Sequence, residues 1–117
     1  MGVLNGAGII VGNYGTAGGT ALVTLGNTGN DGTFSGEIAD GTNNTTSITK
    51  VGSGTQTLSG TSTNSGTTTV SAGTLSVTGT TGSGDVNVSS GGTLAGTGTI
   101  GGSVTVASGG VFSPGAP

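Results

Sequence analysis

Residues 66–112 write one short phrase three times: GTTTVSAGTL at 66–75, SGDVNVSSGGTL at 83–94 and GGSVTVASGGVF at 101–112. Val70, Val88 and Val106 stand 18 residues apart, Thr68, Val86 and Val104 keep the same interval, and Leu75, Leu94 and Phe112 follow at 19 and 18. A unit this short cannot bury an apolar face by itself, so each copy must be covered by the copies before and after it along an axis. Within each phrase apolar residues alternate with small polar ones, as in Val86-Asn87-Val88 and Val104-Thr105-Val106, which is the two-residue period of a strand with one face inward. A glycine corner follows (Ala72-Gly73, Gly91-Gly92, Gly109-Gly110), where positive φ is cheap, and a second strand then carries Leu75, Leu94 or Phe112. The prediction is an all-β fold, a single-stranded parallel β-helix (β-solenoid) of about five to six coils with a period of about 18–20 residues, equivalent residues lying about 4.8 Å apart in columns.

At 117 residues the chain has room for about six such coils, a rod on the order of 30 Å long. Val, Ile, Leu and Phe number only 24, close to the level at which a chain stays disordered, yet only five residues are charged and 24 are Thr, which favours strands. One Lys, no Arg and no His leave nothing to neutralise phosphates, which argues against nucleic acid and anionic membranes as partners. There is no Cys for a disulfide or thiolate metal site, no apolar run of membrane-helix length, and no charged leader before the apolar segment 8–11. Alternating runs far shorter than about 9–11 residues, without aromatic girdles, argue against membrane-barrel strands.

In chain order, residues 1–19 read as an irregular first coil or cap, 20–113 as the solenoid and 114–117 as a tail in which Pro114 stops the last strand. Strands are expected at 20–25, 33–38, 47–51 and 55–59, and 40–46 (DGTNNTT) reads as an outward loop where the coil spacing stretches. The expected core comprises Phe34, Ile38, Ile48 and Leu58 from these earlier coils. The threefold phrase adds Val70, Leu75, Val86, Val88, Leu94, Val104, Val106 and Phe112.

Phe34-x-Gly36-x-Ile38, then Thr49-Lys50-x-Gly52-x-Gly54-x-x-x-Leu58-x-Gly60, then Gly66-Thr67-Thr68-x-Val70-x-Ala72-Gly73-Thr74-Leu75 occur in this order. Gly92-Thr93-Leu94-x-Gly96-x-Gly98-x-Ile100 and Ser113-Pro114-Gly115 close the series. This succession, over about 32–115, resembles the passenger-associated β-strand repeat of bacterial autotransporters. The resemblance implies a right-handed parallel β-helix exported to the outer surface of Gram-negative cells, where such segments act as stalks or adhesive rods. It also implies neighbouring coils as partners, and a host-surface or glycan ligand where there is one. Ser65 departs from the pattern, standing where the family usually has an aromatic residue.

Enzymes on β-helices need carboxylate pairs, arginines or a calcium cluster on one face. Asp31, Glu37, Asp40 and Asp85 are the whole acid supply, with no His or Arg beside them, so no catalytic residue and no cofactor are expected and the acids read as solvated turn positions. Residues 29–34 (GNDGTF) are similar to a calcium-binding turn, but such a metal sits between adjacent copies and the second copy is missing. Lys50, the only cation, reads as a surface residue that shields a strand or pairs with an acid, with an anionic glycan contact as the functional alternative. Thr61-x-Thr63, Thr78-x-Thr80 and Thr97-x-Thr99 recur at 17 and 19 residues and suggest a threonine ladder on one flank. Such ladders resemble the ice-binding faces of antifreeze solenoids, and the same flank could meet a glycan. Uncapped terminal coils would also let the chain stack end to end into filaments.

Overall fold

The computed structural model describes residues 6, 8–11, 20–26, 29, 31–41 and 45–114. Its strands are β1 (Ile9–Val11), β2 (Thr20–Leu25), β3 (Gly32–Phe34), β4 (Glu37–Ala39), β5 (Thr45–Lys50), β6 (Thr55–Leu58), β7 (Thr68–Val70), β8 (Gly73–Val77), β9 (Val86–Val88), β10 (Gly92–Gly96), β11 (Val104–Val106) and β12 (Val111–Pro114). Alternate strands gather into two five-stranded sheets, β2-β5-β7-β9-β11 and β3-β6-β8-β10-β12, and β1 pairs with β4. Every pairing is parallel. A chain that returns to the same sheet once per coil, always in the same direction, is a β-solenoid, and each of the two sheets contributes five rungs. Isolated parallel bridges Thr61↔Thr80 and Thr80↔Thr99 mark a third, looser side.

Alternation fills most of the interior, although β8 and β10 each end in three consecutive buried residues. In the first sheet the inward positions form the columns Val23–Ile48–Thr68–Val86–Val104 and Leu25–Lys50–Val70–Val88–Val106. In the second, Gln56, Leu75, Leu94 and Phe112 stack, beside Phe34, Leu58 and Val77. Phe34, Ile38, Ile48, Leu58, Val70, Leu75, Val86, Val88 and Leu94 are buried, joined by Leu25, Val77 and Ala95. The expected core is corrected at the last coil. Val106 is 38% and Phe112 43% exposed, and Val104 is only partly buried, because no coil covers β11 and β12 among the described residues. Val88 and Leu94, one coil earlier in the same columns, have a neighbour on both sides and are buried.

Two further corrections concern boundaries. The expected loop at 40–46 ends earlier, since β5 begins at Thr45 and the Thr46 side chain is fully buried, its hydroxyl donating to the Ala39 carbonyl at 2.8 Å. The run 33–38 is two strands with a bend at Ser35-Gly36. Of the expected cap at 1–19, β1 and Gly6 add pairings to β4 and to Phe34, Gly8 O accepts from Glu37 N, and residues 1–5, 7 and 12–19 lie outside the described residues, as do 115–117 of the tail.

Corner glycines take two distinct roles. Gly73, Gly91 and Gly109 have φ of 63°, 90° and 88°, so each turn after β7, β9 and β11 uses the left-handed region that glycine enters freely. The other role is closeness. Gly60, Gly79 and Gly98 stand one above another, and a Cβ on each would press into the backbone carbonyl of the glycine one coil earlier. Gly66, Gly84 and Gly102 form a second such ladder. Glycine is therefore what permits adjacent coils to approach to ladder distance at these corners.

Candidate functional site

All four carboxylates accept a hydrogen bond from one coil further along, the three Asp from backbone N–H groups and Glu37 from a hydroxyl. Asp31 Oδ1 accepts from the Thr55 N–H at 2.7 Å, and Glu37 Oε2 from the Thr63 hydroxyl at 2.6 Å. Asp85 Oδ1 accepts from the Ser103 N–H at 3.1 Å. Asp40 takes three donors: Oδ1 accepts from Thr46 N at 2.8 Å and Ser65 N at 2.9 Å, and Oδ2 from Ser65 Oγ at 2.6 Å. Each acid thus reaches a donor 18 to 26 residues later, one coil further along. At a corner the coil-to-coil ladder lapses and leaves N–H groups without a carbonyl, and a carboxylate one coil away supplies a charge-assisted acceptor. The acids are coil staples rather than idle turn residues. Burial pushes the Asp40 carboxyl up, but the hydrogen bonds from the Ser65 hydroxyl, Ser65 N and Thr46 N outweigh it and hold the group below its ordinary value. Ser65, the departure from the resembled pattern, is exposed and serves as the donor to Asp40.

Lys50 overturns the surface reading. It is fully buried, in the column between Leu25 and Val70. Its Nζ donates to the carbonyl oxygens of Val51 and, at 3.2 Å, Gly52. Desolvation pushes the ammonium below its ordinary pKa, and attraction to the Asp31 carboxylate offsets part of this. Gln56 and Asn64 are also buried, Gln56 Nε2 donating to Thr57 O at 3.3 Å and Asn64 Nδ2 to Thr46 O at 2.9 Å. The alternation marks two of these inward polar residues: Lys50, expected at the surface, shares the inward parity of Ile48, and Gln56, not singled out by the sequence, that of Leu58.

The threonine face is partly assembled. Thr61, Thr80 and Thr99 form one column through their bridges, and the same 19-residue offset places Thr78 beside Thr97 and Ser59. Thr63 falls two positions out of register and is held by Glu37. The aligned ladder is therefore Ser59/Thr61, Thr78/Thr80 and Thr97/Thr99, on a side joined only by single bridges. On the outer face of the second sheet, Asp31, Gly32, Thr33, Thr55 and Thr57 line an open cleft of about 370 Å³. No cluster of three or more His, Cys, Asp or Glu that could hold a metal occurs among the described residues, and no helix there is long and apolar enough to cross a membrane.

Residues 48–77 match the passenger-associated-transport-repeat family. The match runs from β5 through β8, more than one full coil, and includes the Lys50 corner and the Asn64–Gly66 turn. No curated protein and no solved structure matches the chain.

Proposed function

We propose, from the passenger-associated-transport repeat at 48–77, that this chain is a length of the exported stalk of a bacterial autotransporter, displayed at the cell surface. Its work is mechanical: it extends, and it presents what it carries. The observation that supports this reading most is the use made of its few charged side chains. All five serve contacts within or between coils, and the outer faces of the strands are mostly Thr and Ser, with Leu22, Glu37 and Val111 among the exceptions. A rod grows by this construction without new long-range contacts, because each coil touches only its neighbours.

The partner suited to such a rod is another coil. β11 and β12 form the last rung among the described residues, where Val106 and Phe112 are exposed in the columns that bury Val88 and Leu94 one coil earlier. A second copy, or a further coil of a longer passenger, would continue those columns. An adhesive role would draw on the hydroxyl-lined cleft at Asp31, whose chemistry suits a neutral glycan. The ice-binding reading rests on three aligned rungs of a loosely joined side and is the weaker of the two.

The test places one, two or three copies of residues 20–113 between an N-terminal tag and an outer-membrane translocator in a Gram-negative host. The stalk reading expects the tag to be accessible to antibody on intact cells and to stand farther from the membrane with each copy. A tag held in the periplasm, or a distance that does not grow, would overturn it.

A further inference from the structure

The Lys50 corner has the construction of an ion site. The ammonium is buried in a column of Leu25 and Val70 and attracted by the Asp31 carboxylate, yet its hydrogen bonds go to backbone oxygens, those of Val51 and Gly52. Those oxygens sit where the ladder changes step. Lys50 O accepts from both Ser71 N and Ala72 N, and Gly54 O accepts from Thr74 N; of the three carbonyls between them, those of Val51 and Gly52 accept from the ammonium. Three successive coils close around it. Gly26 from the coil before and Gly73 from the coil after both have left-handed backbones, with φ of 95° and 63°, and a Cβ on either would stand 2.8 Å from Nζ. Gly52, at φ 73°, makes the same turn in the coil of Lys50 itself. Carbonyl oxygens replace the hydration shell of a small monovalent cation, and the glycines without side chains leave room beside the two oxygens that accept here.

We propose that the corner formed by Val51 and Gly52, between Gly26 of the coil before and Gly73 of the coil after, is a monovalent-cation site whose resident is the ammonium of Lys50. The side chain is a cation tethered to the wall of its own site. It ties three coils at one point and supplies the positive charge that the carbonyls require. Free ammonium and potassium, of similar size and satisfied by carbonyl oxygens, are the ligands that the site would take once the tether is cut.

The experiment removes the tether with Lys50→Ala in the full chain. Thermal midpoints are then measured in chloride salts of potassium, ammonium and tetramethylammonium at equal ionic strength. The parent should melt alike in all three. The variant should melt lower than the parent in tetramethylammonium and recover in potassium or ammonium along a saturating curve; a variant unfolded in tetramethylammonium and folded in potassium would be the same result in stronger form. A midpoint independent of the cation, or a variant unfolded in every salt, would overturn the proposal. A second measurement uses the parent alone. The N-terminal amine and Lys50 are its only amines, so acylation followed by peptide mass spectrometry should modify Met1 and spare Lys50 until the chain unfolds. Equal labelling of the two under native conditions would remove the site.

Discussion

The glycine ladders make a prediction opposite to the usual effect of replacing glycine. Where the backbone tolerates it, Gly→Ala stabilises by up to about 1 kcal/mol by restricting the unfolded chain. Gly79→Ala should destabilise. Its Cβ would lie 2.6 Å from the Ser59 carbonyl oxygen and closer still to that of Gly60, against 3.4 Å or more for ordinary contact, so the two coils must part by about 1 Å. Gly79 N donates to Leu58 O at 3.1 Å and Thr80 N to Gly60 O at 3.0 Å; neither bond survives that separation. At about 1 kcal/mol net for each, with looser packing between Leu58 and Val77, the loss exceeds the entropic gain and leaves roughly 2 kcal/mol of destabilisation. With a urea slope of about 1–3 kcal/mol/M for a small domain, the midpoint should fall by on the order of 1 M. Gly110→Ala is the control: on the uncovered last coil its Cβ would meet the Ser89 and Val88 oxygens at 3.0 Å, which a shift of a few tenths of an ångström relieves. Urea midpoints for the two variants that agree within error would refute the close-approach account and return these glycines to a role in flexibility.

Two further outcomes follow from the columns and the staples. Val88→Asp buries a carboxylate between Val70 and Val106 and should cost at least about 3 kcal/mol, whereas Asn87→Asp on the exposed face of the same strand should be mild, and equal melting temperatures would refute the register. Asp40 is held below its ordinary value in the folded chain, so its contribution to stability is complete above the unfolded value near 3.8 and is lost as pH falls through the lower folded value. Asp40→Asn should flatten that part of an acid stability curve, and an unchanged curve would show that the Ser65 and Thr46 contacts contribute nothing.

The fold was legible because repetition and parity are carried by individual side chains. Val70, Val88 and Val106 at 18-residue spacing describe a column directly, and the structure pairs them in that register. The same parity implies that Thr46, Ile48 and Lys50 face together, as do Gln56 and Leu58, but residue type points the other way, since lysines usually occupy the surface. The backbone supplies what the sequence does not display: carbonyl oxygens that satisfy an ammonium inside the column. The staples were hidden for a different reason. An acid and its donor are a full coil apart, and the length of that coil varies, so Asp40–Ser65 spans 25 residues where Asp85–Ser103 spans 18. The threonine offset has the same origin, since Thr63 falls on the wrong side of a corner whose length sequence does not fix.

Corners rather than strands therefore set the limits of this rod. Along the sheets, Thr, Val and Leu repeat with little demand on identity, and the columns accept Ile48, Thr68 or Val86 at one inward position. At each corner the demand is specific: glycine where two carbonyl planes nearly touch, a carboxylate where the ladder lapses, one lysine where carbonyls converge. Nearly half the chain is Gly or Thr because a strand face without charges needs β-propensity from Thr, and close stacking needs the absence of Cβ. Charge is spent only where the backbone cannot satisfy itself. The coils after Asp85 contain no charged residue, so their cohesion rests on the ladder and the columns alone, and at their exposed end Val106 and Phe112 are apolar column side chains that one more coil would cover.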